Sequence, residues 1–157
     1  MKELADSLVA TVISAELKLR GFTEKETSQQ PEAGGWTKKE LLGHLVDSAS
    51  NNHQRFVRLQ LADDLRLPKY EQEGWVRVQQ YRTTDWLSLV ELWSAYNLHL
   101  ARVMMAATPE TLAHTCRVGD GEPVTLQFLM EDYIAHMHHH FKKLLSEPAI
   151  ADNGGSR

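Results

Sequence analysis

The strongest constraint on the fold is a helical repeat of apolar residues in four long segments of the chain. These segments run from Lys2 to Leu19, from Thr37 to Leu59, from Asp85 to Met104 and from Thr125 to Leu145. Within each segment, apolar residues recur every three or four positions, which places them on one face of an α-helix. Because such a helix must bury its apolar face, the sequence predicts an all-α fold built as a four-helix bundle.

Turn-forming residues separate the four segments. A loop rich in glycine and proline occupies residues 27–35, and a second glycine-rich loop occupies residues 117–123. Residues 63–84 join the second and third helices, and this long connection suggests a functional segment or a minor element. Within it, residues 70–81 fit either a short strand or a short helix, and no strand is predicted elsewhere. A chain of 157 residues suits one domain, so we predict a bundle over residues 1–147 and a disordered tail over 148–157.

Charge and cysteine content exclude several classes of protein. Lys and Arg total 17 against 21 for Asp and Glu, and the net charge of −4 gives no general attraction to nucleic acid or anionic membrane. The single cysteine, Cys116, excludes an internal disulfide framework and fits a reducing compartment. No apolar run approaches the roughly 20 residues that cross a bilayer, and acids occupy the N-terminus. We therefore predict a cytoplasmic protein with no nucleic-acid or membrane partner.

Histidines are concentrated in the last predicted helix. Of eight in the chain, four lie within residues 136–140. Since a helix turns about 100° per residue, His136 and His140 lie about 40° apart on one face, where both imidazoles can reach one divalent cation. His139 lies at the edge of this face, whereas His138 lies nearly opposite and should meet solvent. In a run so rich in histidine, such a pair also arises on an ordinary solvated helix face.

His44 favours the metal interpretation. It lies on the second helix between Leu41 and Leu45, within the apolar stripe that should face the core. A buried imidazole without partners costs on the order of 1–3 kcal/mol, and a cation shared with the two histidines of the last helix would satisfy it. A hydrogen bond to Asp47 or to a neighbouring hydroxyl would also satisfy it, so the spacing leaves both interpretations open.

Three neutral imidazoles would leave an open position on a divalent cation, with Zn²⁺ or Ni²⁺ the first choices. Such an ion lowers the pKa of a bound water toward about 7, and the same position can bind and ionise a thiol. Asp47 lies one turn after His44, and Asp132 lies one turn before His136. Either carboxylate can accept a hydrogen bond from an imidazole and fix its orientation, although acids at such positions are more often solvated.

Other catalytic patterns are absent from the sequence. Met137 follows His136, so the His-Glu-x-x-His helix of zinc proteases is missing, and no second cysteine accompanies Cys116. No pattern identifies a nucleophile or a general base, so the sequence leaves the catalytic residues unassigned. Arg55 and Arg58 are predicted to be solvated, although an arginine beside a metal site can orient an anionic substrate.

Two motifs resemble the DinB-like superfamily. The first is the stretch Gly34–Ala49, GGWTKKELLGHLVDSA, and the second is His136-x-x-His139-His140-Phe141 in the last helix. The resemblance spans about residues 1–147. It implies a four-helix bundle, commonly homodimeric, in which His44, His136 and His140 bind a divalent metal. It also implies that His139 lies beside the metal ligands without being one of them.

The resemblance also implies a range of activities. Members of the superfamily include transferases that use low-molecular-weight thiols, a mycothiol-dependent isomerase and metal-dependent hydrolases. We expect a metal-dependent enzyme that activates a thiol or a water for a small-molecule substrate, with thiol transfer ranked ahead of hydrolysis. The alternative is a non-catalytic metal- or ligand-binding bundle linked to stress or damage.

Two further features bear on assembly and substrate. Large apolar residues such as Trp86 and Trp93, together with the resemblance, favour a homodimer packed through helix faces. Phe141 stands where the superfamily frequently has an arginine, so any anionic contact made by that arginine is not expected here.

Overall fold

A computed structural model describes residues 1–32 and 34–145 of the chain. The elements follow in the order α1 (Lys2–Leu19), α2 (Glu24–Ser28), α3 (Lys38–Leu61), β1 (Leu65–Leu67), α4 (Gln72–Gln79), a 3-10 turn (Tyr81–Thr83), α5 (Trp86–Met105), α6 (Pro109–Leu112), β2 (Thr115–Val118), β3 (Val124–Thr125) and α7 (Leu126–Leu144). The four long helices α1, α3, α5 and α7 lie where the apolar repeat predicted them. The predicted four-helix bundle is therefore confirmed.

Side-chain caps fix where the long helices begin. Thr37 Oγ1 accepts a hydrogen bond from the Glu40 amide at 3.3 Å, and Glu40 Oε2 accepts one from the Thr37 amide at 2.9 Å, which completes a capping box before α3. Asp85 and Thr125 cap α5 and α7 through their side-chain oxygens. Because a cap fixes the first turn, it also fixes the direction in which the following side chains project.

The core lies between the long helices. α5 packs along both α1 and α3, and α3 packs along α7. Trp86 and Trp93 are 1% and 0% exposed, as their helical spacing predicted. The indole nitrogen of Trp86 donates a hydrogen bond to the Leu19 carbonyl at 2.8 Å and so ties α5 to the end of α1. Because both tryptophans are buried within one chain, neither can contact a second chain. They therefore give no support to the expected homodimer.

A small sheet lies beside the bundle, although the sequence predicted no strand. β1 pairs in parallel with β2, with Leu65 opposite Cys116, and β2 pairs antiparallel with β3. These strands contain only two to four residues, too few for an alternating pattern to be recognised. The predicted loop at 117–123 is thereby shortened to the turn between β2 and β3, and Cys116 is buried in the sheet.

The connection between α3 and α5 contains β1, α4 and the 3-10 turn, so the ambiguous residues 70–81 are mainly helical. The 3-10 turn approaches α3 closely at Gly43. A Cβ atom at this position would lie 2.1 Å from the Tyr81 ring, so only glycine permits the approach. The contact seats Tyr81, 5% exposed, beside the turn of α3 that carries His44.

The predicted tail at 148–157 and the domain end at 147 lie outside the described residues and stay predictions. Among the helices of residues 1–32 and 34–145, none has an apolar stretch long enough to cross a membrane.

Candidate metal centre

Three histidines from two helices meet inside the bundle. His44 comes from α3, and His136 and His140 come from α7. One ring nitrogen from each lies within 4.8 Å of the other two. The Nε2 atoms of His136 and His140 are 3.0 Å apart, and the His44 ring centroid lies 5.4 Å and 4.9 Å from the centroids of these two rings. The structure thus brings together the three residues singled out in the sequence.

Packing of α3 against α7 produces this arrangement. Met137 and Phe141, each next in sequence to one of the α7 histidines, are buried in the core. His136 and His140 are one turn apart on the adjoining face and are half-buried against α3. Trp36, just before α3, lies over His44 with ring centroids 4.9 Å apart. The histidines are therefore held by two packed helices, and an aromatic side chain lies over His44.

His44 is buried without any hydrogen-bond partner among residues 1–32 and 34–145. Its side chain is 0% exposed, and both ring nitrogens are unpaired, as is Nδ1 of the half-buried His140. An unpaired buried polar atom of this kind costs about 1–3 kcal/mol. The sequence left open a hydrogen bond from His44 to Asp47, but the Asp47 carboxylate accepts from Tyr81 and Gln79 instead. A buried imidazole without a hydrogen bond, beside two other imidazoles, is the donor set that a cation requires.

Burial keeps the imidazoles in the form that binds metal. Desolvation, reinforced by the neighbouring histidines, lowers the pKa of His44 to about 4 and that of His140 to about 4. Desolvation also lowers the pKa of His136, with the charge of Asp132 opposing it. The three rings are therefore neutral near pH 7, and a neutral imidazole is the metal ligand.

The donor set fits a transition-metal cation. Imidazole nitrogen binds Zn²⁺ at about 2.0–2.1 Å, so two ligands of a tetrahedral ion lie about 3.4 Å apart. The separation of 3.0 Å between His136 and His140 is close to this value, whereas Mg²⁺ and Ca²⁺ prefer oxygen ligands. Within residues 1–32 and 34–145, no fourth His, Cys, Asp or Glu joins the group. A cation bound there would keep a position open.

The other candidate residues lie around the three histidines. His139 is exposed, with its ring centroid 5.4 Å from that of His140. Asp132 is also exposed and acts on the site through its charge. His138 projects toward α1, where its Nε2 lies 3.0 Å from Thr11 Oγ1.

The structure surrounds Asp47 with a buried polar network, and its partners Gln79 and Tyr81 were not singled out in the sequence. Asp47 is 2% exposed, and its Oδ1 accepts hydrogen bonds from the Tyr81 hydroxyl at 2.7 Å and from the Gln79 amide, while Oδ2 has no partner. Tyr70 lies close to Ser48 of α3, and burial raises the pKa of Tyr70 to about 12. Since the connection that carries these aromatic residues has no helical repeat, no sequence pattern marked them.

The two arginines of α3 differ in their surroundings. Arg58 is exposed, as predicted, and its Nε donates to Gln54. Arg55 is half-buried, so the prediction of a solvated side chain is wrong for this residue. Its Nη1 donates to Asn52 Oδ1 at 3.3 Å and its Nη2 to the Pro68 carbonyl at 3.4 Å, because the connection after α3 folds back over it.

The sequence matches a family model described as the DinB superfamily over residues 14–143. It is 25% identical to YfiT of Bacillus subtilis over 145 residues, which cover 88% of this chain and 81% of YfiT. It is 23% identical to a protein of Bacillus mycoides over 128 residues, which cover 82% of this chain and 73% of that protein. Both relatives are named as candidate metal-dependent hydrolases.

Solved structures share the fold. The structure of YfiT, described as a probable metal-dependent hydrolase with an unusual four-helix bundle topology, matches with a TM-score of 0.76 at 23% identity and covers 92% of this chain and 87% of YfiT. A mycothiol-dependent maleylpyruvate isomerase matches with a TM-score of 0.68 at 12% identity. That match covers 96% of this chain and 60% of the isomerase, so the chain corresponds to part of the larger enzyme.

Proposed function

This chain belongs to the DinB superfamily, and from that premise we propose that it is a metal-dependent enzyme acting on a small molecule. His44, His136 and His140 would hold a divalent cation, zinc or nickel, whose open position takes a thiol or a water. The observation that carries the proposal is the fully buried His44 ring, because both of its nitrogens lack a partner within the described part of the chain and lie beside two other imidazoles.

The chain's own residues prepare this chemistry. When bound, the cation would supply Lewis acidity, which favours the ionised form of a coordinated thiol or water. Burial keeps the rings of His44 and His140 neutral near pH 7, so each has one unprotonated nitrogen that can bind the cation. Trp36 lies against the His44 ring and excludes water from that side. Asp47, three residues along α3, is buried beside this group, and burial raises the pKa of its carboxyl.

Thiol transfer is the first reaction class we propose, and hydrolysis is the second. A thiolate is a soft ligand that suits Zn²⁺ and Ni²⁺. A protein of the same fold is named as a mycothiol-dependent isomerase, and that name supports a thiol as the co-substrate. The names of the two relatives, as candidate metal-dependent hydrolases, support water as the second choice.

A non-catalytic metal-binding bundle is the alternative function. A structural zinc site is usually closed by four protein ligands. The group found within the described residues contains three. A cation with three protein ligands is open to a substrate, which favours the enzyme.

Turnover by the metal-loaded protein tests the proposal. Zinc- or nickel-loaded protein would be mixed with low-molecular-weight thiols and 1-chloro-2,4-dinitrobenzene, and separately with a chromogenic ester. We expect thiol consumption that stops on chelation, returns with metal and falls by about 100-fold or more in His44→Ala. The control His138→Ala should keep full activity, because this side chain projects toward α1.

Two results would contradict the enzyme. Turnover that survives chelation would separate the reaction from the metal. Fully loaded protein that turns over no thiol and no ester would favour the non-catalytic bundle.

A further inference from the structure

A polar stripe runs along α3 from the metal centre toward the C-terminal half of the helix. It consists of His44, Ser48, Asn52 and Arg55, whose spacings of three and four residues place them on one face. Ser48 is 3% exposed, Asn52 is 9% exposed and Arg55 is half-buried. Helices of a bundle normally bury apolar side chains along such a face, so polar groups kept there point to a polar ligand.

Hydrogen bonds within the stripe hold its far end in place. Asn52 Nδ2 donates to the Ser48 carbonyl at 3.0 Å, which orients the amide. The Oδ1 atom of Asn52 then accepts from Arg55 Nη1 at 3.3 Å. The guanidinium is thereby held back along α3, toward the metal centre, instead of extending into solvent.

The charge of Arg55 lacks an anionic partner among residues 1–32 and 34–145. Its two hydrogen bonds, at 3.3 Å and 3.4 Å, go to neutral oxygens and are long beside the roughly 2.7–2.9 Å of a bond to a carboxylate. The titratable groups that act on it are Tyr70 and Cys116. Burial raises the pKa of both, so they are neutral near pH 7. A half-buried cation without a counter-ion is costly, and an anionic ligand would remove that cost.

We propose that Arg55 binds a carboxylate of the same small molecule whose thiol reaches the metal centre. This inference rests on the proposed function, which it deepens by naming the substrate class as carboxylate-bearing thiols. The planar fork of a guanidinium matches a carboxylate in two parallel hydrogen bonds. One guanidinium among neutral neighbours balances one negative charge, which favours a carboxylate over a phosphate dianion.

The length of the stripe indicates the size of this ligand. Arg55 follows His44 by three helical turns, about 16 Å along the axis, and the guanidinium leans back by about one turn toward Asn52. An extended peptide advances about 3.4 Å per residue, so a thiol of about tripeptide size spans the distance. Smaller thiols such as cysteine would reach one end of the stripe but not both.

Binding of glutathione and two derivatives tests the assignment. Glutathione serves as a tripeptide-sized thiol with two carboxylates. Its diethyl ester keeps the thiol and loses both charges, and S-methylglutathione keeps the charges and loses the free thiol. Affinities would be measured by calorimetry on zinc-loaded wild type, Arg55→Gln and the matched control Arg58→Gln, which changes an exposed arginine of the same helix.

Arg55→Gln should weaken the binding of glutathione and S-methylglutathione by about 10- to 100-fold, the usual effect of losing hydrogen bonds to a charged group. It should leave the affinity for the diethyl ester unchanged, and Arg55→Lys should recover part of the loss. Arg58→Gln should bind all three ligands as the wild type does. Arg55→Gln should also melt no lower than the wild type, since it removes an unpaired, half-buried charge.

Three results would overturn the assignment. They are unchanged glutathione affinity in Arg55→Gln, an equal loss of affinity for the diethyl ester, and no saturable binding of glutathione at millimolar concentration. Failure of the proposed function has a different signature. In that case chelation would leave the glutathione affinity of the wild type unchanged, while Arg55→Gln would still lower it.

Discussion

Replacing His44 with leucine should stabilise the metal-free protein and abolish its response to metal. The imidazole is 0% exposed, and both of its nitrogens are unpaired among the residues that the structure describes. Each unpaired buried group costs about 1–3 kcal/mol, and a leucine of similar volume has none. For a domain of this length, 1 kcal/mol shifts Tm by about 2–4 °C. If the gain equals one such group, His44→Leu in the presence of a chelator should melt about 2–12 °C above the wild type.

The order of stability should invert when metal is added. A cation at 100 times its Kd stabilises the native state by about 2.7 kcal/mol. The wild type should gain this stabilisation from Zn²⁺ or Ni²⁺. His44→Leu should gain little, because His136 and His140 alone bind the ion more weakly.

Differential scanning calorimetry with and without chelator measures both effects. The matched control is His138→Leu, which changes an exposed histidine of the same helical run as His136 and His140, and it should keep the metal-induced rise in Tm. A His44→Leu variant that melts below the wild type in chelator would show that the imidazole is already satisfied in the metal-free protein. A full metal-induced rise in that variant would remove His44 from the ligand set.

The metal-free protein should lose stability as the pH falls from about 6.5 toward 4. In the folded protein the pKa of His44 and of His140 is about 4, whereas in the unfolded chain both histidines take up a proton near pH 6.5. Protonation therefore favours the unfolded chain across this range. Urea unfolding across this range measures the effect, and a constant midpoint would contradict it. Gly43→Ala should cost about 1–3 kcal/mol, since its methyl group would lie 2.1 Å from the Tyr81 ring; an unchanged unfolding midpoint would show that the 3-10 turn moves aside freely. Light scattering at micromolar concentration should find a homodimer, as expected from the resemblance, and a protein that is only monomeric would refute this.

The long helices were predictable because each carries its apolar repeat over several turns and, in α3, a capping box at Thr37. The pairing of His136 with His140 was predictable for the same reason, since their relative direction is fixed within one helix. The environment of His44 was predictable only in part. The apolar repeat placed His44 in the core. Whether its ring could hydrogen-bond to Asp47 depended on the partners of that carboxylate, which the sequence does not show. In the structure Asp47 accepts from Tyr81 and Gln79, both in the connection after α3.

Features that depend on distant segments were missed. β1 has three residues and pairs with β2, which lies far along the chain, so neither strand has a local signal. Arg55 has the sequence neighbours of an exposed residue, and its burial arises where the Pro68 segment folds over α3. Such contacts follow from tertiary packing and not from the spacing of residues within a helix.

Metal content of untagged protein tests the central claim most directly. Elemental analysis should find one zinc or nickel ion per chain in the wild type, and most of it should be lost in His44→Ala, His136→Ala and His140→Ala, because two remaining imidazoles cannot hold the ion comparably. His138→Ala should retain the metal, since its side chain lies against α1. Equal loss of metal from His138→Ala and His136→Ala would show that the ion is held by a histidine-rich surface, and that result would contradict the buried three-histidine site.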